Sequence, residues 1–141
     1  MSNKVDFQKE ISEGYTFKGD YILLGGAMID GESVADAQIK APLKTFNRHG
    51  LIAGATGTGK TKTLQNIAER LSEKGVPVLL MDIKGDLSGL TQASEGHPKI
   101  DERHERIGSP WKGQAYPCEM LTISGQDGTR MRATISEFGP V

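Results

Sequence analysis

Apolar positions fall into three regions of different period. Residues 1–46 read as short strands and turns: Tyr21–Leu24 and Ala27–Ile29 are apolar and partly β-branched, and Asp30-Gly31 after them predicts a hairpin turn. Ala37, Ile39, Ala41 and Leu43 then alternate with more polar neighbours, except at Pro42, as a half-buried edge strand would. In the middle region, 47–90, Leu51-Ile52-Ala53 is a short apolar run ending at glycine, which predicts a buried strand. Leu64, Ile67, Ala68 and Leu71 recur at i, i+3, i+4 and i+7, the stripe of a helix with one buried face. Lys74 lies in its last turn and Gly75 stands at the C′ position. Val78–Met81 is a second apolar run, ending at Asp82. Strand, helix and strand over about 30 residues predict a βαβ unit, parallel and with a right-handed crossover. In the last region, 91–141, Pro98 opens a short helix with Ile100, His104 and Ile107 on one face, and Gly108 ends it. A loop with Pro110, Trp111 and Pro117 leads to an expected strand at Cys118–Ile123, broken by Gly125 and Gly128. Thr134–Phe138 could start another helix, which Gly139-Pro140 interrupts.

The strongest chemical signal lies between the two middle apolar runs. Gly54-Ala55-Thr56-Gly57-Thr58-Gly59-Lys60-Thr61 matches G-x-x-x-x-G-K-[ST] at every fixed position, with Lys62 following. Gly54, Gly57 and Gly59 open backbone torsions closed to other residues and let the chain wrap closely around phosphate. Successive N–H groups then turn inward as an anion nest at the positive end of the following helix. Lys60 supplies a point charge for the β- and γ-phosphates, and the Thr61 hydroxyl is a hard oxygen suited to Mg²⁺. The strand before the motif and the amphipathic helix after it are the context a P-loop requires. The expected ligand is ATP with Mg²⁺.

Composition narrows the class without naming a function. A chain of 141 residues has room for one domain with one core, and its 36% hydrophobic and 25% charged residues suit an ordinary soluble protein. No apolar run approaches the roughly 20 residues a membrane span needs, and Met1–Glu10 is too polar for a signal peptide. Cys118 is the single cysteine, which excludes an internal disulfide and fits a reducing cytoplasm. His49, His97 and His104 share no metal-ligand spacing with it. The net charge of −1 provides no broad basic field, so composition alone does not argue for nucleic acid.

Asp82-Ile83-Lys84-Gly85-Asp86 admits several readings. Asp82 could be a Walker-B-type aspartate holding Mg²⁺ through water, the D-x-x-G switch of a GTPase with Gly85, or a strand-end carboxylate capping the next turn. No N-K-x-D segment for guanine occurs, which counts against a GTPase. A small-molecule kinase with a substrate-binding aspartate after the second strand stays open. Arg130 and Arg132 read as solvated loop charges, His49 as a capping or packing residue, and Trp111 as an anchor onto the core.

Asn47–Gly54 (NRHGLIAG) running into the P-loop, together with Val78–Leu90 (VLLMDIKGDLSGL), resembles the HerA/FtsK superfamily of P-loop motor ATPases, and closely the bacterial HerA-helicase-like proteins. Arg130–Pro140 (RMRATISEFGP) is similar to a further segment of that family, so the resemblance covers most of residues 20–141. It implies an α/β fold: part of a RecA-like core with a parallel sheet over residues 47–141, preceded by a small β-rich segment, 1–46. It also implies ATP hydrolysis, usually in a hexameric ring that moves along DNA. In that superfamily the strand after the P-loop helix is an outer one, which makes Asp82 a second-tier residue. No later apolar run ending in Asp-Glu is found, so the chain is expected to be the N-terminal piece of a larger protein or a truncated gene product. The expected alternative function is nucleotide binding, or regulation, without turnover.

Overall fold

The computed structural model describes residues 2–109, 111–123 and 127–132. The first element is a helix, α1 (Ser2–Gly14), where the sequence pattern suggested only turns and strands. Its apolar positions are sparse, but Phe7 and Ile11 stand four apart and so share a face. Both pack on Ala27, Val34 and Ala37, joined by Ile29 and Ile39. Tertiary packing of this narrow stripe outweighs its polar, mixed-charge surroundings.

The hairpin beneath it is legible from the sequence. β1 (Tyr21–Ile29) and β2 (Glu32–Pro42) pair antiparallel, joining the two apolar pieces expected before the turn into one strand. Asp30 and Gly31 both have positive φ, 53° and 80°, the requirement of a type I′ connection. Gly26 faces Gln38 whereas Met28 faces Ser33, so one β1 residue opposes the four residues 34–37. This bulge places Asp36 at φ 63°, a conformation aspartate tolerates better than most residues, and puts Val34 and Ala37 into the core.

α2 (Lys60–Glu73) forms as expected and buries Ala68 and Leu71. Its end is a Schellman motif: Gly75, at φ 73°, donates to Ser72 O and Val76 donates to Leu71 O. Asn66 Nδ2 donates to Leu24 O at 3.2 Å and fastens the helix to β1. α3 (Pro98–Arg106) has His97 as N-cap, its ring nitrogen accepting from Lys99 N, and Pro98 at the first position. Ile100, His104 and Ile107 are its half-buried positions, as their spacing predicted. Ile107 sits on Gly26, where an added Cβ would come within 2.7 Å of its methyl, and Gln38 Nε2 donates to Gly108 O.

The parallel βαβ unit is not formed among the described residues. Leu51–Ala53 and Val78–Met81 carry no strand pairing, and Leu51, Leu79 and Met81 are 89%, 78% and 87% exposed. Periodicity cannot supply a ladder partner, and neither run finds one here. In place of the expected Cys118–Ile123 strand, β3 (Leu121–Thr122) pairs parallel with β4 (Thr129–Arg130) over two residues each. The architecture shown is a mixed α/β one, with an antiparallel hairpin and a small parallel pair. The expected helix at 134–138 lies outside the described residues. No helix among them is long and apolar enough to cross a membrane.

Candidate functional site

The loop before α2 is shaped by two left-handed glycines, Gly57 at φ 81° and Gly59 at φ 93°. Gly59 is also the helix N-cap, and no side chain caps the first N–H groups of α2. Gly54 is needed for a different reason: a Cβ there would meet Thr58 Oγ1 at 2.5 Å. The loop closes on the Ala55 carbonyl, which accepts from Lys60 Nζ at 2.8 Å, Thr58 Oγ1 at 2.8 Å and Thr58 N at 3.4 Å. The Lys60 ammonium is thus held across the mouth of the loop on a neutral acceptor. An anion there would offer it a charge-assisted bond in exchange. Thr61 is exposed, and its hydroxyl makes no hydrogen bond among the described residues. Ala55, Thr56, Thr58 and Lys62 are exposed as well.

Asp82 anchors a separate turn. Its Oδ1 accepts from the N–H groups of Lys84 (3.1 Å), Gly85 (2.9 Å) and Asp86 (3.3 Å), and its Oδ2 from Leu87 N (2.9 Å). The Leu87 bond, chiefly, holds the Asp82 carboxyl below its usual range; desolvation opposes it, and the N–H groups of Lys84, Gly85 and Asp86 add to the lowering. This is the geometry of the turn-capping reading, completed by Gly85 at φ 78°. Both Asp82 oxygens are engaged.

Sequence reasoning overlooked the residue that joins this turn to the helix. Gln65 is 6% exposed and its Nε2 donates to the Asp86 carbonyl at 2.9 Å. The available signal was an amide side chain directly beside the buried stripe Leu64, Ile67, Ala68 and Leu71, where a polar group requires a partner. On the helix flank, Tyr116 donates to Glu73 Oε1 at 2.8 Å and Arg70 pairs with Glu73 Oε2 at 3.1 Å. Burial, then the Glu73 bond, pushes the Tyr116 phenol well up. Half-burial likewise raises Glu69, with Arg70 opposing it. These groups line hollows of about 310 and 740 Å³ that meet at Lys62, Glu69, Arg70 and Trp111.

The remaining candidates stand apart from the loop. Trp111 is half-buried, packed beside His104 (ring centroids 6.1 Å apart) and against Gly96, on the α3 side of the chain and not on the hairpin core. His49 is exposed with no hydrogen bond among the described residues, so the expected capping or packing role is not seen; no helix begins beside it to cap. Arg130 and Arg132 are exposed, in keeping with solvated charges. No cluster of metal-ligating side chains occurs among the described residues.

Comparison with known proteins adds the lineage. Residues 28–141 match the family model described as helicase HerA-like C-terminal. A stretch of 68 residues is 32% identical to the DNA double-strand break repair helicase HerA of Saccharolobus solfataricus, covering 47% of this chain and 14% of that protein. The chain thus spans about one-seventh of the length of that curated relative. No solved structure matches. With the family model covering most of its length, the chain belongs to the helicase HerA-like C-terminal family.

Proposed function

We propose that this chain binds ATP with Mg²⁺ through Gly54–Thr61, as a Walker A P-loop within a RecA-like nucleotide-binding region at 47–141 that follows a β-rich segment at 1–46. The observation that carries the reading is the loop itself: left-handed Gly57 and Gly59 ahead of an uncapped helix N-terminus, with Lys60 held at its mouth. The N–H groups of the loop would cradle the phosphates, Lys60 would neutralise the β- and γ-phosphates, and Thr61 would offer its hydroxyl to Mg²⁺. Lys62, one position on, would sit beside the same phosphates. When bound, Mg²⁺ supplies charge neutralisation on the phosphate oxygens. The family supports a further step: in the longer protein, a homo-oligomer, by family analogy a hexameric ring, would couple ATP hydrolysis to movement on DNA in the cytoplasm. A second reading, nucleotide binding without turnover by this chain, is favoured by the full engagement of Asp82 with backbone N–H groups.

Equilibrium titration with Mg²⁺ and ATP tests the first step. Saturable binding that Lys60→Ala weakens by at least about tenfold, the scale of losing one charge-assisted contact, supports it. No saturable binding by the parent chain would falsify the P-loop reading. Mg²⁺-dependent hydrolysis stimulated by DNA, with steep salt dependence, supports the motor reading; binding without hydrolysis moves the assignment to the second.

A further inference from the structure

Three donors converge on one acceptor in the glycine loop. The Ala55 carbonyl receives Thr58 N–H at 3.4 Å, Thr58 Oγ1 at 2.8 Å and Lys60 Nζ at 2.8 Å. Gly57 is third of the four residues Ala55–Thr58 and stands at φ 81°, so the N–H bond closes a type II turn. At 3.4 Å that bond is longer than N–H···O bonds usually are, and it orients the carbonyl weakly. The shorter hydroxyl bond fixes the direction in which the carbonyl points.

Gly54 makes room for this arrangement. A Cβ there would stand 2.5 Å from Thr58 Oγ1 and 3.7 Å from Lys60 Cγ, so both side chains use the space its missing side chain leaves. Lys60 begins α2, and its stem folds back over five residues to reach the carbonyl. Two groups that a phosphate would recruit, the Lys60 ammonium and the Thr58 N–H, are thus already paired inside the loop. A phosphate oxygen is the stronger partner for an ammonium and can displace a neutral carbonyl. The internal bonds must still break first, and that cost subtracts from binding.

We propose that the Thr58 hydroxyl is a latch on the loop. It holds the Ala55 carbonyl against the Lys60 ammonium, so the loop exchanges between a self-bonded form and a phosphate-accepting form, and ATP binds the second. The proposal rests on the ATP reading of Gly54–Thr61 and adds a side chain that lowers affinity. Thr58 acts through the turn and Lys60, as a positioning residue. Removing its hydroxyl raises the fraction of loops ready for phosphate, and the observed affinity rises by the same factor.

The test compares the parent with Thr58→Ala and Thr58→Ser in Mg²⁺–ATP binding kinetics and, without nucleotide, in amide exchange across residues 55–60. Both variants lack the γ-methyl, and only Thr58→Ser keeps the hydroxyl. Thr58→Ala is expected to bind Mg²⁺–ATP about 2- to 10-fold more tightly, the range for one modest hydrogen bond, through faster association at unchanged dissociation. Its amides at 55–60 should also exchange faster than the parent's. Thr58→Ser should match the parent in both measurements. Parental or weaker affinity in Thr58→Ala overturns the latch, as does a gain carried by slower dissociation. A gain that Thr58→Ser shares belongs to the methyl and overturns the role of the hydroxyl. A parent that binds no ATP overturns the ATP reading instead; exchange then decides the latch by itself, and equal exchange in the parent and Thr58→Ala overturns it.

Discussion

Tyr21–Ile29 and Val78–Ile83 are similarly apolar, and they end in opposite environments. In the first stretch Ile22 is 2% exposed and Ala27 8%: β2 returns through the Asp30-Gly31 turn to pair with the strand, and Phe7 and Ile11 of α1 pack on Ala27. In the second, Leu79 is 78%, Met81 87% and Ile83 100% exposed. The hairpin finds its ladder partner within a few residues, so closing it costs little chain entropy. The middle runs require partners that no neighbouring segment provides among the described residues. An extended apolar segment buries readily only where a neighbouring strand completes its backbone hydrogen bonds.

The largest expected contrast compares these stretches directly. Ile22→Ala should destabilise the chain by about 2–5 kcal/mol through transfer and cavity costs, whereas Leu79→Ala should stay within about 0.5 kcal/mol, both read by urea unfolding. Equal costs would mean that Leu79 is buried in solution, and the contrast would collapse. Next comes the seam between the hairpin and the later chain. Gly26→Ala places a methyl 2.7 Å from the Ile107 Cγ2 and should cost about 1–3 kcal/mol by overpacking, partly recovered in the double variant with Ile107→Ala.

A smaller effect concerns the Asp82 turn, which is ordered by hydrogen bonds where the apolar run before it is not buried. The folded carboxyl titrates below its ordinary value of 3.8, so its contribution is complete above 3.8 and is lost as pH falls through the lowered folded value. Amide protection at Lys84–Leu87 should fade across that acid window in the parent and be weak throughout in Asp82→Asn. The smallest effect is at Glu69, on the half-buried flank of α2. Its folded pKa is raised above 4.5, chiefly by burial, so its contribution declines as pH rises from 4.5 through the raised value. Glu69→Gln should remove that decline and leave the chain slightly more stable at neutral pH, measured as a small rise in Tm.

Local pattern was legible wherever neighbours in sequence are neighbours in space. The Asp30-Gly31 turn, the Pro98 start of α3 with its Ile100, His104, Ile107 face, and the Gly75 end of α2 all follow from residue type and spacing. The helix Ser2–Gly14 was not legible, since its inward apolar residues, Phe7 and Ile11, become meaningful when Val34 and Ala37 lie beneath them. The glycine loop was readable in full as a motif. Gln65 was not, because a buried amide is identified by its acceptor, and Asp86 lies 21 residues away.

The sequence by itself determined the glycine-rich loop, the helix behind it and the hairpin ahead of it, because torsional freedom, helical period and turn chemistry act over a few residues. Only the tertiary structure decided that Gln65 ties the Asp82 turn to α2, and that Leu51, Leu79 and Met81 lie uncovered. Those outcomes depend on which donors and surfaces meet across long stretches of chain, and one-dimensional pattern carries no such information.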